Sequence, residues 1–142
     1  MKNLDPKLPP APCFVVDLAA LRRNLEILNG VRQRAGVKIL LAQKAFSMFS
    51  VYPMISAVLD GTCASSPHEA RLGHEEFGKE THGFAAAYSE SDLREMLKYC
   101  TTVVFNSFSQ WRRFRPLTKE AEGRVKFGLR VNPEHGEAVR EI

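Results

Sequence analysis

Strand-like apolar segments begin at residues 37, 61, 81, 101 and 125, at intervals of 24, 20, 20 and 24 residues. A parallel strand pair cannot be closed by a tight turn. It needs a crossover of a dozen residues or more, usually a helix. Each interval is long enough for one strand and one helix, and each carries a helical pattern after its strand. The rhythm therefore predicts repeated βα units and a parallel sheet. No literal sequence repeat accompanies it.

Ahead of these units, residues 13–16, CFVV, read as a short strand. Asp17 offers an N-cap, and Leu18, Leu21, Leu25 and Leu28 recur at helical spacing up to Gly30 or Gly36. Segment 37–42, VKILLA, lacks alternation, the pattern of a strand buried on both faces. Residues 50–59 read as a helix with Pro53 in its first turn. Segment 61–66, GTCASS, is a weaker strand, followed by a helix from Pro67 to Phe77 that Gly78 ends. Segment 81–87 is a strand. Residues 89–92 cap the helix LREMLKYC, and segment 101–107, TTVVFNS, is rich in β-branched and aromatic residues. Ser109 is placed to cap a helix around Trp111, and VKFGLRV, 125–131, is the last strand. Rhythm alone leaves two architectures: an open doubly wound sheet, or part of a (β/α)8 barrel, which typically takes about 250 residues.

Composition removes several function classes. The chain of 142 residues is 44% hydrophobic and 25% charged, ordinary for a globular domain. No segment approaches the roughly 20 apolar residues of a membrane span. Residues 1–13, MKNLDPKLPPAPC, hold no apolar signal core. Three widely spaced cysteines, Cys13, Cys63 and Cys100, fit reduced thiols. These features predict a cytoplasmic protein without a membrane partner. The net charge of +4 invites nucleic acid, but the only dense basic group is Arg112, Arg113 and Arg115. A helix that buries Trp111 and Phe114 and turns those arginines to water explains the group, so no nucleic-acid partner is expected.

Lys44 follows a buried-type strand at the point where it passes into its loop. Active sites of barrels and open α/β sheets gather at that C-terminal edge. A lysine desolvated there loses its proton more easily and can act as an amine nucleophile, while a lysine reaching to water is the plain alternative. Ser65 and Ser66 stand at another strand end, near the same edge or as helix caps, and Glu69 is spaced to complete a capping box with Ser66. Cys63 reads as a small core residue. Arg130, among apolar neighbours in GLRVNP, needs an anion or a hydrogen-bonded network. His68 and His74 are six apart, not the i, i+4 of a zinc helix, and His82 and His135 are isolated, so no metal site is predicted.

Together, LLAQKAF (41–47), GTCASSPHEARLG (61–73), VVFNSFSQW (103–111) and GLRVNPEH (128–135) resemble the carboxynorspermidine (carboxyspermidine) decarboxylases, as does the opening APCFVVDLAALRRNLE. These are fold-type III pyridoxal-phosphate (PLP) enzymes, grouped with ornithine, arginine and diaminopimelate decarboxylases and alanine racemase. The resemblance covers nearly all of the sequence. It implies an alanine racemase-like PLP-binding (β/α)8 barrel, of which residues 1–142 would be an incomplete N-terminal part, without the C-terminal β-domain. It also implies that Lys44 is the catalytic, cofactor-carrying lysine and that Arg130 lies near the cofactor. Gln43 stands where the family usually has a small or apolar residue. Thr62 and Cys63 occupy the region where ornithine decarboxylase-like relatives carry an acidic residue, so that role is not transferred. The implied reaction is decarboxylation of carboxynorspermidine or carboxyspermidine to norspermidine or spermidine by a homodimer, with little activity in these 142 residues alone. The runners-up are a diaminopimelate or other basic amino-acid decarboxylase, and a non-enzymatic PLP-binding remnant.

Overall fold

Asp17 begins the first helix as its side-chain chemistry requires. Its carboxylate accepts from the backbone N–H groups of Ala19 and Ala20 at 2.8 and 3.0 Å. Helix α1 then runs Leu18–Ala35 and ends at Gly36, whose φ of 63° is the left-handed cap conformation that glycine adopts without strain. The computed structural model describes residues 12–135. The reading of residues 1–13 as free of a signal core falls mostly outside them.

Five strands follow: β1 Leu40–Ala42, β2 Gly61–Ala64, β3 Glu80–Phe84, β4 Thr102–Phe105 and β5 Lys126–Leu129. All pair in parallel, in the order β1-β2-β3-β4-β5. A doubly wound sheet reverses its strand order partway. This one never does, so its crossovers all advance the same way, as in the wall of a barrel. The five predicted strand positions hold, each shorter than its apolar segment.

Each of the four intervals between strands holds helix where predicted. Helix α2, Tyr52–Ser56, is preceded by a 3-10 turn, Phe49–Val51, and carries Pro53 in its first turn. Ser66 caps α3, Pro67–Leu72, which widens into a π-turn over Gly73–Phe77. Ser89 caps α4, Glu90–Tyr99. The predicted Trp111 helix is broken in two: α5, Phe108–Arg113, and α6, Arg115–Glu120. Pro116, lacking an N–H, prevents one uninterrupted ladder. Its N-cap is Ser107, accepting from Gln110 N–H at 3.2 Å, whereas Ser109 only bonds the Ser107 hydroxyl. Phe114 is buried, Trp111 is partly buried, and all three arginines face water, with Arg115 over the Trp111 ring at 5.8 Å.

Residues 13–16 form no strand, and Phe14 is 97% exposed. Among the described residues the segment pairs with no strand of the sheet.

The helices cover one face of the sheet. Met96, Leu97 and Cys100 of the α4 region join Val103, Phe105 and Phe114 in one cluster, and Phe105 stacks on Phe127. Leu25 of α1, Tyr52 and Ile55 of α2, Leu59 and Phe77 form a second cluster against Ile39 and Leu41. Gly83 sits where an added Cβ would meet Met96 and Cys100 at 2.8 and 3.0 Å. Strand side chains alternate between faces. Because Leu41, Thr62, Ala64, Thr81, Val103 and Phe105 point at helices, Ala42, Cys63, His82, Thr102 and Lys126 point the other way. Pairing puts those five residues in one row across the sheet.

Candidate active site at the C-terminal edge of the sheet

The row of residues on the open face leads up to Lys44. Gln43 N–H bonds Cys63 C=O at 3.3 Å, extending the β1 ladder by one step. The chain then turns: Ala42 C=O accepts from both Ala45 and Phe46 N–H, at 3.0 and 3.2 Å. Lys44 sits on the crest of this turn, at the C-terminal edge, as expected. It is exposed, however, and so are its neighbours Ala42 and Cys63. The described residues do not supply the desolvation that the sequence suggested, because the face above the strand carries no covering layer here.

Gln43 is the opposite case. It is 1% exposed and points into the helix layer. Its Nε2 donates to Glu69 C=O at 2.7 Å, and its Oε1 accepts from the Tyr52 hydroxyl at 3.2 Å. Burial, and after it the Glu69 carboxylate, holds the Tyr52 hydroxyl above its usual pKa. Gly73 closes the space below: a Cβ there would meet Thr62 Oγ1 at 2.3 Å, Gln43 Nε2 at 3.0 Å and Thr81 Oγ1 at 3.2 Å. The Thr62 and Thr81 hydroxyls bond each other at 3.3 Å. Among the described residues, no buried side-chain polar atom lacks a partner. The sequence reading missed this network. The available signal was alternation, which sends residue 43 to the same side as Leu41 and forces an amide to find partners there.

Ser66 is a cap and nothing more visible: its Oγ accepts from Glu69 N–H at 3.2 Å. The expected capping box is only half made, since the Glu69 carboxylate takes Ser65 N–H, at 2.6 Å, rather than Ser66 N–H. This fastens the β2 end to α3. Cys63 is not the core residue expected. It is exposed on the open face because its strand turns Thr62 and Ala64 to the helices. Partial burial pushes the Cys63 thiol up, and the Lys44 ammonium nearby pulls it back down.

Arg130 lies one residue past β5 and is exposed, not buried. Its N–H bonds Phe105 C=O at 2.9 Å, its Nη1 donates to Asn106 Oδ1 at 3.2 Å, and its guanidinium lies 5.7 Å from the Phe84 ring centre. Its partners are thus an amide and a ring, the hydrogen-bonded alternative rather than the anion. Lys44 and Arg130 share one edge and one face but do not touch. Three strands separate β1 from β5, about 19 Å along the sheet at 4.8 Å per strand. A ring-sized ligand reaching both would need the sheet to curve, as a barrel wall does.

Lower on the same face, His82 Nε2 lies 3.1 Å from Glu80 Oε2, and Glu80 also pairs with Lys38. These partners, Lys38 first, hold the Glu80 carboxyl below its usual range. His68 and His74 are exposed, and no cluster of three or more metal-binding side chains occurs among the described residues. No described helix is long and apolar enough to cross a membrane.

No protein-family profile matches the chain. It is 41% identical over 122 residues to the carboxynorspermidine/carboxyspermidine decarboxylase of Herminiimonas arsenicoxydans, covering 86% of this chain and 32% of that protein. It is 42% identical over 133 residues to the carboxyaminopropylagmatine decarboxylase of Synechocystis sp., covering 94% and 34%. The crystal structure of carboxynorspermidine decarboxylase from Campylobacter jejuni, complexed with norspermidine, superposes with a TM-score of 0.71 at 29% identity, over 77% of this chain and 29% of that one. The chain spans about a third of the length of the curated relatives it matches.

Proposed function

We infer that this chain supplies the first strands of a decarboxylase barrel in the carboxynorspermidine/carboxyspermidine decarboxylase family, and that Lys44 carries its PLP. The observation that most supports the reading is the placement of Lys44. It crowns a hydrogen-bonded turn at the C-terminal edge, on the sheet face that the helices leave open. In a closed barrel that face is the interior, and that edge is where the chemistry sits.

The residues present fit an aldehyde cofactor of this size. Ala42, Cys63 and Gly128 keep the open face low around the strand ends, and Phe84 offers a ring between Lys44 and Arg130. Lys44 would hold the cofactor covalently through its amine, and Arg130, steadied by Asn106, would face it from the far strand. Bound PLP supplies an electron sink for the carbon that loses CO2. The chain's own part is to fix the amine on the turn and to set a cation opposite it. The reaction proposed is decarboxylation of carboxynorspermidine or carboxyspermidine to norspermidine or spermidine in polyamine biosynthesis, in a cytoplasmic homodimer.

The test is to incubate the chain with PLP, reduce with borohydride and map the labelled peptide. Label concentrated on Lys44 supports the reading, and a folded sample labelled evenly over its lysines overturns it. Release of CO2 from carboxynorspermidine, carboxyspermidine, carboxyaminopropylagmatine and diaminopimelate then separates the proposed substrates from the basic amino-acid alternative.

A further inference from the structure

We propose that Gln43 is the positioning residue for the Lys44 amine, acting through the buried clamp that Tyr52 and Glu69 close on its carboxamide. The inference deepens the reading of Lys44 as the cofactor lysine and rests on it for its meaning.

The geometry is specific. A carboxamide has a donor end and an acceptor end, and Gln43 uses both: Nε2 on the Glu69 carbonyl and Oε1 on the Tyr52 hydroxyl. The two partners come from different helices, α3 and α2, so the side chain cannot turn without breaking a bond to one of them. Tyr52 is itself fixed, fully buried and edge-on to Phe77 at 5.4 Å. Gly73 keeps that side close: even a Cβ there would stand only 3.0 Å from Gln43 Nε2. Lys44 is the next residue in the chain. With Gln43 held in the helix layer, alternation and the Ala42 turn direct Lys44 to the opposite, open face. An apolar residue at 43 would fill the same space with no directional hold, and would leave the buried Tyr52 hydroxyl without its acceptor. A glutamine at this place therefore gives the turn an orientation that packing alone does not.

The experiment compares the full chain with Gln43→Leu, Tyr52→Phe and the double variant. Two labels are read by peptide mapping: acetylation by a small acetylating reagent across a pH series, and borohydride-fixed PLP. In each, Lys44 is scored relative to the other lysines of the same molecule. Loss of stability alone would raise labelling at many lysines together, so the ratio isolates position. The expected result is a Lys44 ratio changed about fivefold in each single variant, the scale of one net hydrogen bond, with a shifted pH profile. The double variant should add nothing further, as for two members of one network. Ratios unchanged in a folded Gln43→Leu protein, or effects that simply add, would overturn the proposal. If the parent chain shows no preference for Lys44 with PLP, the cofactor reading fails, while the acetylation ratios still decide the role of Gln43.

Discussion

Arg32 grips Asp60 with two hydrogen bonds, Nε to Oδ2 at 2.7 Å and Nη2 to Oδ1 at 2.6 Å. Asp60 Oδ2 also accepts from Ile39 N–H at 3.0 Å. One carboxylate thus fastens the end of α1, the entry to β1 and the residue before β2. The bond from Arg32 lowers the Asp60 carboxyl from 3.8 to about 2. A carboxyl with a depressed folded-state pKa adds stability that is whole above its unfolded value and is lost as pH falls through the folded one. Urea unfolding between about pH 4 and pH 2 should therefore show the parent losing stability that Asp60→Asn has already lost. At neutral pH the substitution should lower stability by about 1–3 kcal/mol, since Ile39 N–H and the guanidinium lose a charged acceptor. Equal pH slopes in the two proteins would contradict this.

Gly73→Ala should destabilise the chain by about 1–3 kcal/mol, the usual range for overpacking. Its Cβ would stand 2.3 Å from Thr62 Oγ1, inside the polar layer that also holds Gln43 and Thr81. Chemical denaturation measures it, and a neutral result would mean that the π-turn shifts freely.

Lys44→Ala should slow alkylation of Cys63. Burial raises that thiol and the Lys44 ammonium lowers it, so removing the ammonium leaves less thiolate at a given pH. Cys100 serves as the internal control, being buried and pushed up to about 12. Timed labelling with iodoacetamide and peptide mapping gives both rates. An unchanged Cys63 rate would show that the two side chains do not sense each other.

Tyr88→Phe should lower stability by about 1–3 kcal/mol, because a buried acceptor and donor lose one partner. The Tyr88 hydroxyl accepts from Ala85 N–H at 2.9 Å and donates to Val104 C=O at 3.0 Å, tying the end of β3 to β4. Burial pushes its pKa up to about 12. The sign is that of a raised group: its stabilisation is whole below the ordinary tyrosine range near 10 and is lost as pH climbs through about 12. Denaturation from pH 9 upward should show the parent converging on Tyr88→Phe.

Much of the fold was legible because the strand spacing is a long-range constraint written locally. A strand at Thr102–Phe105 and caps at Asp17, Ser66 and Ser89 follow from side-chain chemistry within a few residues. Residues 13–16 misled because apolar content marks a strand only where a neighbour offers an edge, and that depends on distant sequence. The break at Phe114 has its signal in Pro116, whereas the Trp111–Phe114 spacing by itself suggests one helix. At the site, the edge position of Lys44 could be read from its place after a strand. Its exposure could not, because covering depends on what packs above the sheet. The face of Cys63 and the duties of Gln43 were fixed by strand alternation, and only the pairing register shows which phase of the alternation applies.

Within the described sheet each strand's partner is the one completed just before it, so none of these four pairings waits for a segment far along the chain. Contacts of short sequence separation form quickly and at small entropic loss. The sheet can thus be laid down in the order in which a ribosome delivers it, each new strand finding a finished template already waiting.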